Sequence, residues 1–210
     1  MLRLDHQRAV CCYTGVEPER AVISDKGLLS AEDEARLQAT LRRIAETHGY
    51  VSNLMQTVAL APDGLAAFAA LAAYTRHGSQ LTERQKQLAI LIASRDVHYG
   101  WAHHAPQARA EGVTEDQLQR LREGRTPRDL TASEQALCEY AFEIAYGRRL
   151  PLRVADQMHG HFSPRQIVDL ALLIAHAMSV AALALGLDVP LEAPEVLRFE
   201  LEWQQRRAAG

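Results

Sequence analysis

Aromatic residues make up only 6% of this 210-residue chain, and cysteine occurs three times. Three thiols, two of them adjacent at Cys11-Cys12, cannot build a disulfide framework, so a reducing cytoplasm is the expected compartment. Neither sign of charge is in excess, with a net charge of −3, which removes any electrostatic case for nucleic acid or an anionic membrane as partner. Basic residues are scattered, apart from Arg206-Arg207 near the end. The longest apolar run, Ile167 to Leu187, is interrupted by Asp169, His176 and Ser179 and reads as a buried helix rather than a membrane span. The opening Met1-Leu2-Arg3-Leu4-Asp5-His6 lacks the apolar stretch of a secretory leader. Alternating strand patterns are also missing, Val22-Ile23 being too short to matter.

What is present is helix punctuation. Ser30 caps a helix with apolar positions at Leu37, Leu41, Ile44 and Ala45. Pro62 suits a first turn, followed by the stripe Leu65, Phe68, Ala69 and Ala72. Thr82 with Gln85, and Thr114 with Gln117, have capping-box spacing, and Gly112, Gly124 and Gly147 stand as stops. Thr131 or Ser133 caps a helix through Leu137, Tyr140, Ala141 and Ile144. Ser163-Pro164-Arg165-Gln166 opens a long helix to Gly186, and a last amphipathic helix runs from about Pro194 to Arg207. The expected fold is all-α: a single helical domain over residues 28–210 preceded by an N-terminal arm, residues 1–27. Alanine-rich faces such as Ala66-Ala67 and Ala69-Ala70 allow close helix approach, either inside one subunit or between subunits.

Chemistry concentrates in Tyr99-Gly100-Trp101-Ala102-His103-His104, placed by this reading at the end of the apolar helix that starts after Leu81. Imidazole titrates near neutrality, so adjacent histidines beside a phenol can move protons where other side chains cannot. On a helix Tyr99 shares a face with His103, and Trp101 with His104 and Ala105, while the two histidines project about 100° apart.

The same segment resembles the Tyr-Glu-Trp-x-x-His stretch of the carboxymuconolactone decarboxylase and AhpD-like superfamily. Ser52-Asn53-Leu54-Met55, Leu81-Thr82-Glu83-Arg84, Ala108, Gly112 and Phe162-Ser163-Pro164-Arg165-Gln166-Ile167-Val168-Asp169-Leu170 follow that family's pattern in order, from about Ile44 to Leu191. The resemblance implies an AhpD-like helical bundle that assembles as a homo-oligomer, a trimer or hexamer. It also implies one of two chemistries. The thiol peroxidases carry Cys-x-x-Cys, but alignment on Trp101 and His104 puts the two cysteine positions at Val97 and Gly100, so that activity is not expected. The decarboxylase-like group instead does acid–base chemistry on small carboxylic acids and lactones without a cofactor. Here the family glutamate of Tyr-Glu-Trp is replaced by Gly100, and Gln85 or Gln87 stands where another glutamate is common. The loop between Ile92 and Tyr99 is about two residues short of the pattern.

By this resemblance His104 is the proton-transfer residue, with His103 orienting it or lying at a subunit interface. Tyr99 or His98 can donate to an enolate oxygen, and Arg95 can hold a substrate carboxylate as a two-pronged fork or pair with Asp96. Trp101, Gly100 and His176 complete the expected substrate contacts, Gly100 by leaving room for a larger molecule. The alternatives are that both imidazoles at 103 and 104 are packing residues and that His176 is a core residue of its apolar helix. No metal is expected: His98 with His103 or His104 does not have the i,i+4 spacing that brings two imidazoles together, and a set built from His104, His159 and His176 has no support in spacing. The expected partner is a small carboxylic acid or lactone, with an isomerase, a dehydratase or a non-catalytic binding protein as rival readings.

Overall fold

The computed structural model of the chain describes residues 29–208, and the expected arm, its boundary at Gly27, Cys11 and Cys12 lie outside them. Among the described residues every regular element is a helix and none is a strand, in keeping with the capping signals. They divide into two compact units, one holding the residues up to Ala73 with those from Leu183 onward, the other Tyr74–Ala182.

In the first unit α1 (Ala31–His48) starts at Ser30, whose hydroxyl accepts from the Asp33 N–H. Next come α2 (Asn53–Val58) and α3 (Pro62–Ala73), and α1 packs on α3 through Leu37, Ile44, Leu65 and Ala72. α10 (Pro194–Ala208) returns against α1, and the Glu192 carboxylate accepts from the Asn53 N–H at 2.8 Å.

The second unit opens with a single wide turn, Tyr74–Gly78, wound as a π-helix. α4 (Glu83–Ala93) follows the complete Thr82–Gln85 capping box, and α6 (Glu115–Arg122) follows the complete Thr114–Gln117 box. α7 (Ala132–Ala145) takes Thr131 rather than Ser133 as its cap, because Glu134 is placed to complete that box. Between α4 and α6 lies α5 (His98–Ala110), and α8 (Leu152–His161) precedes α9 (Pro164–Gly186). The core joins Leu88, Leu91 and Ile92 of α4 to Trp101, Ala105 and Ala108 of α5, Leu137 and Ala141 of α7, and Leu170 and Ile174 of α9. At roughly 1.5–3 kcal/mol for each large apolar side chain taken from water, this cluster is the main source of the unit's stability.

The histidines are therefore not at the end of the helix that begins after Leu81. α4 stops at Ala93, a tight turn over residues 94–97 reverses the chain, and the histidines fall in the first half of a separate helix. In α9, the one described helix long and apolar enough to cross a membrane, 39% of the most apolar window is buried. Its Leu170, Leu173, Ile174 and Ala177 face the core, while Val168 and Leu172 are exposed. Asp169 on the same helix is fully buried and accepts from the Tyr74 hydroxyl at 2.5 Å, the Gln80 N–H at 2.8 Å and Arg165 at 3.0 Å.

Candidate active site

α5 presents its two histidines to different surroundings, as their offset demands. His103 is buried, and its ring lies 4.7 Å from that of Tyr99 one turn earlier. His104 is half-buried and turns toward α4, where its Nδ1 lies 2.9 Å from Gln87 Oε1. The Gln87 amide nitrogen in turn donates to Gln107 Oε1 at 3.0 Å. Gln87 and Gln107 are both buried, so these amides meet each other and the imidazole rather than bulk water. The pattern is a polar chain across the α4–α5 contact, imidazole to amide to amide, without a formal charge in either amide.

Of the two glutamines offered by the sequence, Gln87 is thus the one facing His104. Gln85 is committed elsewhere, its side chain accepting from the Thr82 N–H at 3.0 Å in the capping box. Gln107 escaped the sequence reading, although its position three residues after His104 on one helix face was a usable signal.

The turn before α5 decides what surrounds Gly100. Ser94 is buried, and its hydroxyl donates to the Ile90 carbonyl at 2.7 Å. A Cβ on Gly100 would lie 2.6 Å from Ser94 Cβ and 2.8 Å from its Oγ. The extra room expected at Gly100 is not there: the short loop brings Ser94 into the space a side chain would fill. Glycine is required for this close approach of turn to helix.

Arg95 donates through both Nε and Nη2 to the Asp96 carboxylate, at 3.0 and 2.7 Å. Its guanidinium lies over the Tyr146 ring at 5.0 Å and against Gly124, whose φ of +76° and lack of a Cβ permit that contact. It lines an open cavity of about 470 Å³ with Glu123, Glu139, Tyr146, Arg148 and Arg153, a lining that does not include His104, Tyr99 or Trp101. Trp101 is buried beneath the Arg122 guanidinium, which lies 4.9 Å from the ring centre. His98 is exposed at the start of α5. His176 is half-buried on α9; burial, and then the positive charge of Arg76, push its pKa down to about 4, so it is neutral at physiological pH.

Cys138 is fully buried on α7, where burial pushes its thiol pKa up. A thiol held neutral and away from solvent is not a nucleophile. Among the described residues no three histidine, cysteine, aspartate or glutamate side chains are grouped to hold a metal ion.

Residues 62–146 match the model of the carboxymuconolactone decarboxylase family. No curated protein matches the chain. Among solved structures, the chain resembles the debrominase Bmp8 with a TM-score of 0.64 at 20% identity, over 85% of this chain and 98% of that one. An uncharacterized peroxidase-related protein from Silicibacter sp. TM1040 gives a TM-score of 0.66 at 18% identity, over 87% and 97%. An AhpD-core peroxidase-related protein from Ralstonia eutropha JMP134 gives 0.64 at 16% identity, over 78% and 88%. At these identities the likeness establishes a common all-helical fold.

Proposed function

We propose, for a chain whose residues 62–146 match the carboxymuconolactone decarboxylase family, a cofactor-free acid–base enzyme that decarboxylates a small carboxylic acid or lactone, with His104 as its proton-transfer residue. The observation that carries this reading is the hydrogen bond between His104 Nδ1 and Gln87 Oε1, made between half-buried and buried side chains. An amide oxygen can only accept, so Nδ1 carries the proton of that bond and Nε2 is the nitrogen that exchanges one.

Loss of carbon dioxide from a carbon beside a conjugated carbonyl breaks the C–C bond and leaves its electron pair in an enolate. The protonated imidazole then gives its Nε2 proton to that carbon and returns to neutrality with Nδ1–H still on Gln87. A positioned general acid accelerates such a step by roughly 10²–10⁴-fold. Tyr99 or His98 is the donor proposed for the enolate oxygen, a contact worth about 3 kcal/mol in the transition state. Thiol chemistry is disfavoured by Val97 and Gly100 at the cysteine positions of the pattern and by the inaccessible thiol of Cys138.

The fold is open to other reactions, since Bmp8 is a debrominase and a variant of it was solved in complex with 2,3,4-tribromopyrrole. Carbon dioxide release from a panel of carboxylated lactones and β-keto acids, by metal-stripped protein, tests the proposal. Release that disappears in His104→Ala supports it, and release that persists in that variant contradicts it. No release from any substrate turns the reading toward isomerisation, dehydration or a non-catalytic role.

A further inference from the structure

Gln87 alone does not decide which nitrogen of His104 carries the proton. Turned over about its last carbon–carbon bond, an amide has nearly the same shape but offers N–H where it offered oxygen. In that orientation it would donate to Nδ1 and leave the proton of a neutral imidazole on Nε2. We infer that Gln107 is the positioning residue that sets the His104 tautomer, by presenting its Oε1 to the Gln87 amide nitrogen at 3.0 Å. With Gln107 presenting its oxygen, as it does here, nitrogen belongs on that side of Gln87 and the oxygen faces His104, at 2.9 Å.

The placement of the three residues makes this a rigid device. His104 and Gln107 lie one turn apart on α5, on one face, so their separation is fixed by the helix. Gln87 reaches them from α4, which packs directly on α5. Both glutamines are buried, so water does not compete to solvate a reversed amide. The inference rests on His104 as the proton-transfer residue for its catalytic meaning, though not for its structural content. A neutral imidazole in the selected tautomer has a lone pair on Nε2, and in the other it has an N–H there. The choice therefore decides whether Nε2 is a base or only a donor.

The test is nitrogen NMR of full-length protein carrying ¹⁵N-histidine, with the His104 ring assigned by its loss in His104→Gln. The wild type is expected to show a protonated Nδ1 and an unprotonated Nε2 above the imidazole's titration. Gln107→Met removes the acceptor with little change in length and is expected to bring the two tautomers to comparable populations. Turnover should fall on the order of tenfold to a hundredfold in kcat with KM little changed. Gln107→Glu can only accept through its carboxylate and is expected to restore the wild-type tautomer. A Gln107→Met protein whose His104 keeps the wild-type tautomer overturns the inference. If that variant does not fold, Gln107→Asn, too short to reach Gln87, faces the same two outcomes. The spectrum is read without substrate, so the two ideas fail separately. Activity that survives His104→Ala removes the catalytic reading, whereas an unmoved tautomer with His104→Ala inactive removes only the role of Gln107.

Discussion

Two buried polar networks in the second unit solve the same problem in opposite ways. One gathers Tyr74, Gln80 and Arg165 around the carboxylate of Asp169; the other links His104, Gln87 and Gln107 without an acidic group. Burial alone would raise the Asp169 pKa, but hydrogen bonds from the Tyr74 hydroxyl, the Gln80 N–H and Arg165 outweigh it and hold it below the ordinary value. A carboxylate saturated by donors is suited to pinning a wide helical turn and has no proton to exchange near neutrality. The imidazole network is its complement: neutral amides meet one ring nitrogen, and in the proposed mechanism the other changes protonation. On the role proposed for His104, the difference teaches that charge is placed where the backbone is held and left out beside the group that would move a proton.

The sharpest way to break the comparison is Asp169→Ala. It leaves the Tyr74 hydroxyl, the Gln80 N–H and Arg165 without their acceptor and should cost about 3 kcal/mol in urea unfolding. A loss under about 0.5 kcal/mol would mean that the network holds nothing. The same carboxylate gives a pH dependence with a definite sign. Its folded pKa is depressed, so its stabilisation is complete above the unfolded value of about 4 and disappears as pH falls through the lower folded pKa. Melting temperatures taken from about pH 6 to about pH 3 should fall along an acid limb that is shallower in Asp169→Asn.

Gly100→Ala probes the ground beside the imidazole network. The new methyl group meets Ser94, and overpacking of about 1–2 kcal/mol is expected even after the helix-propensity gain of alanine. Ser94→Gly should recover most of that loss in the double variant, and additive losses would show that the two residues do not share the space. Gln87→Glu converts the neutral network toward the charged kind. A carboxylate facing Nδ1–H favours imidazolium, so the pH midpoint of the proton-transfer limb in kcat/KM should rise by about one unit. An unchanged profile would separate Gln87 from the chemistry.

How much of this was legible in the sequence follows from the range of the forces involved. Caps at Ser30, Thr82, Thr114 and Thr131 were readable because each is closed within three residues. The short α2, α8 and the π-turn were not readable, since none carries a long apolar stripe and Tyr74 is held by Asp169, 95 positions away. The Tyr99–His103 contact followed from helical spacing. The choice of Gln87 over Gln85 was available in principle, because the capping box already claims Gln85. The closure at Gly100 was hidden, because it depends on a four-residue turn bringing Ser94 back onto the next helix. Gln107 was visible only to a reading that followed the His104 face one turn further.

The central claim is that His104 serves chemistry rather than packing, and one paired measurement addresses it: kcat/KM and melting temperature of wild type and His104→Ala on the same substrate. The account predicts turnover reduced by at least roughly 10²-fold with the melting temperature within a few degrees of wild type. Full turnover in the variant would contradict it, as would a collapse in stability that accounts for the lost activity.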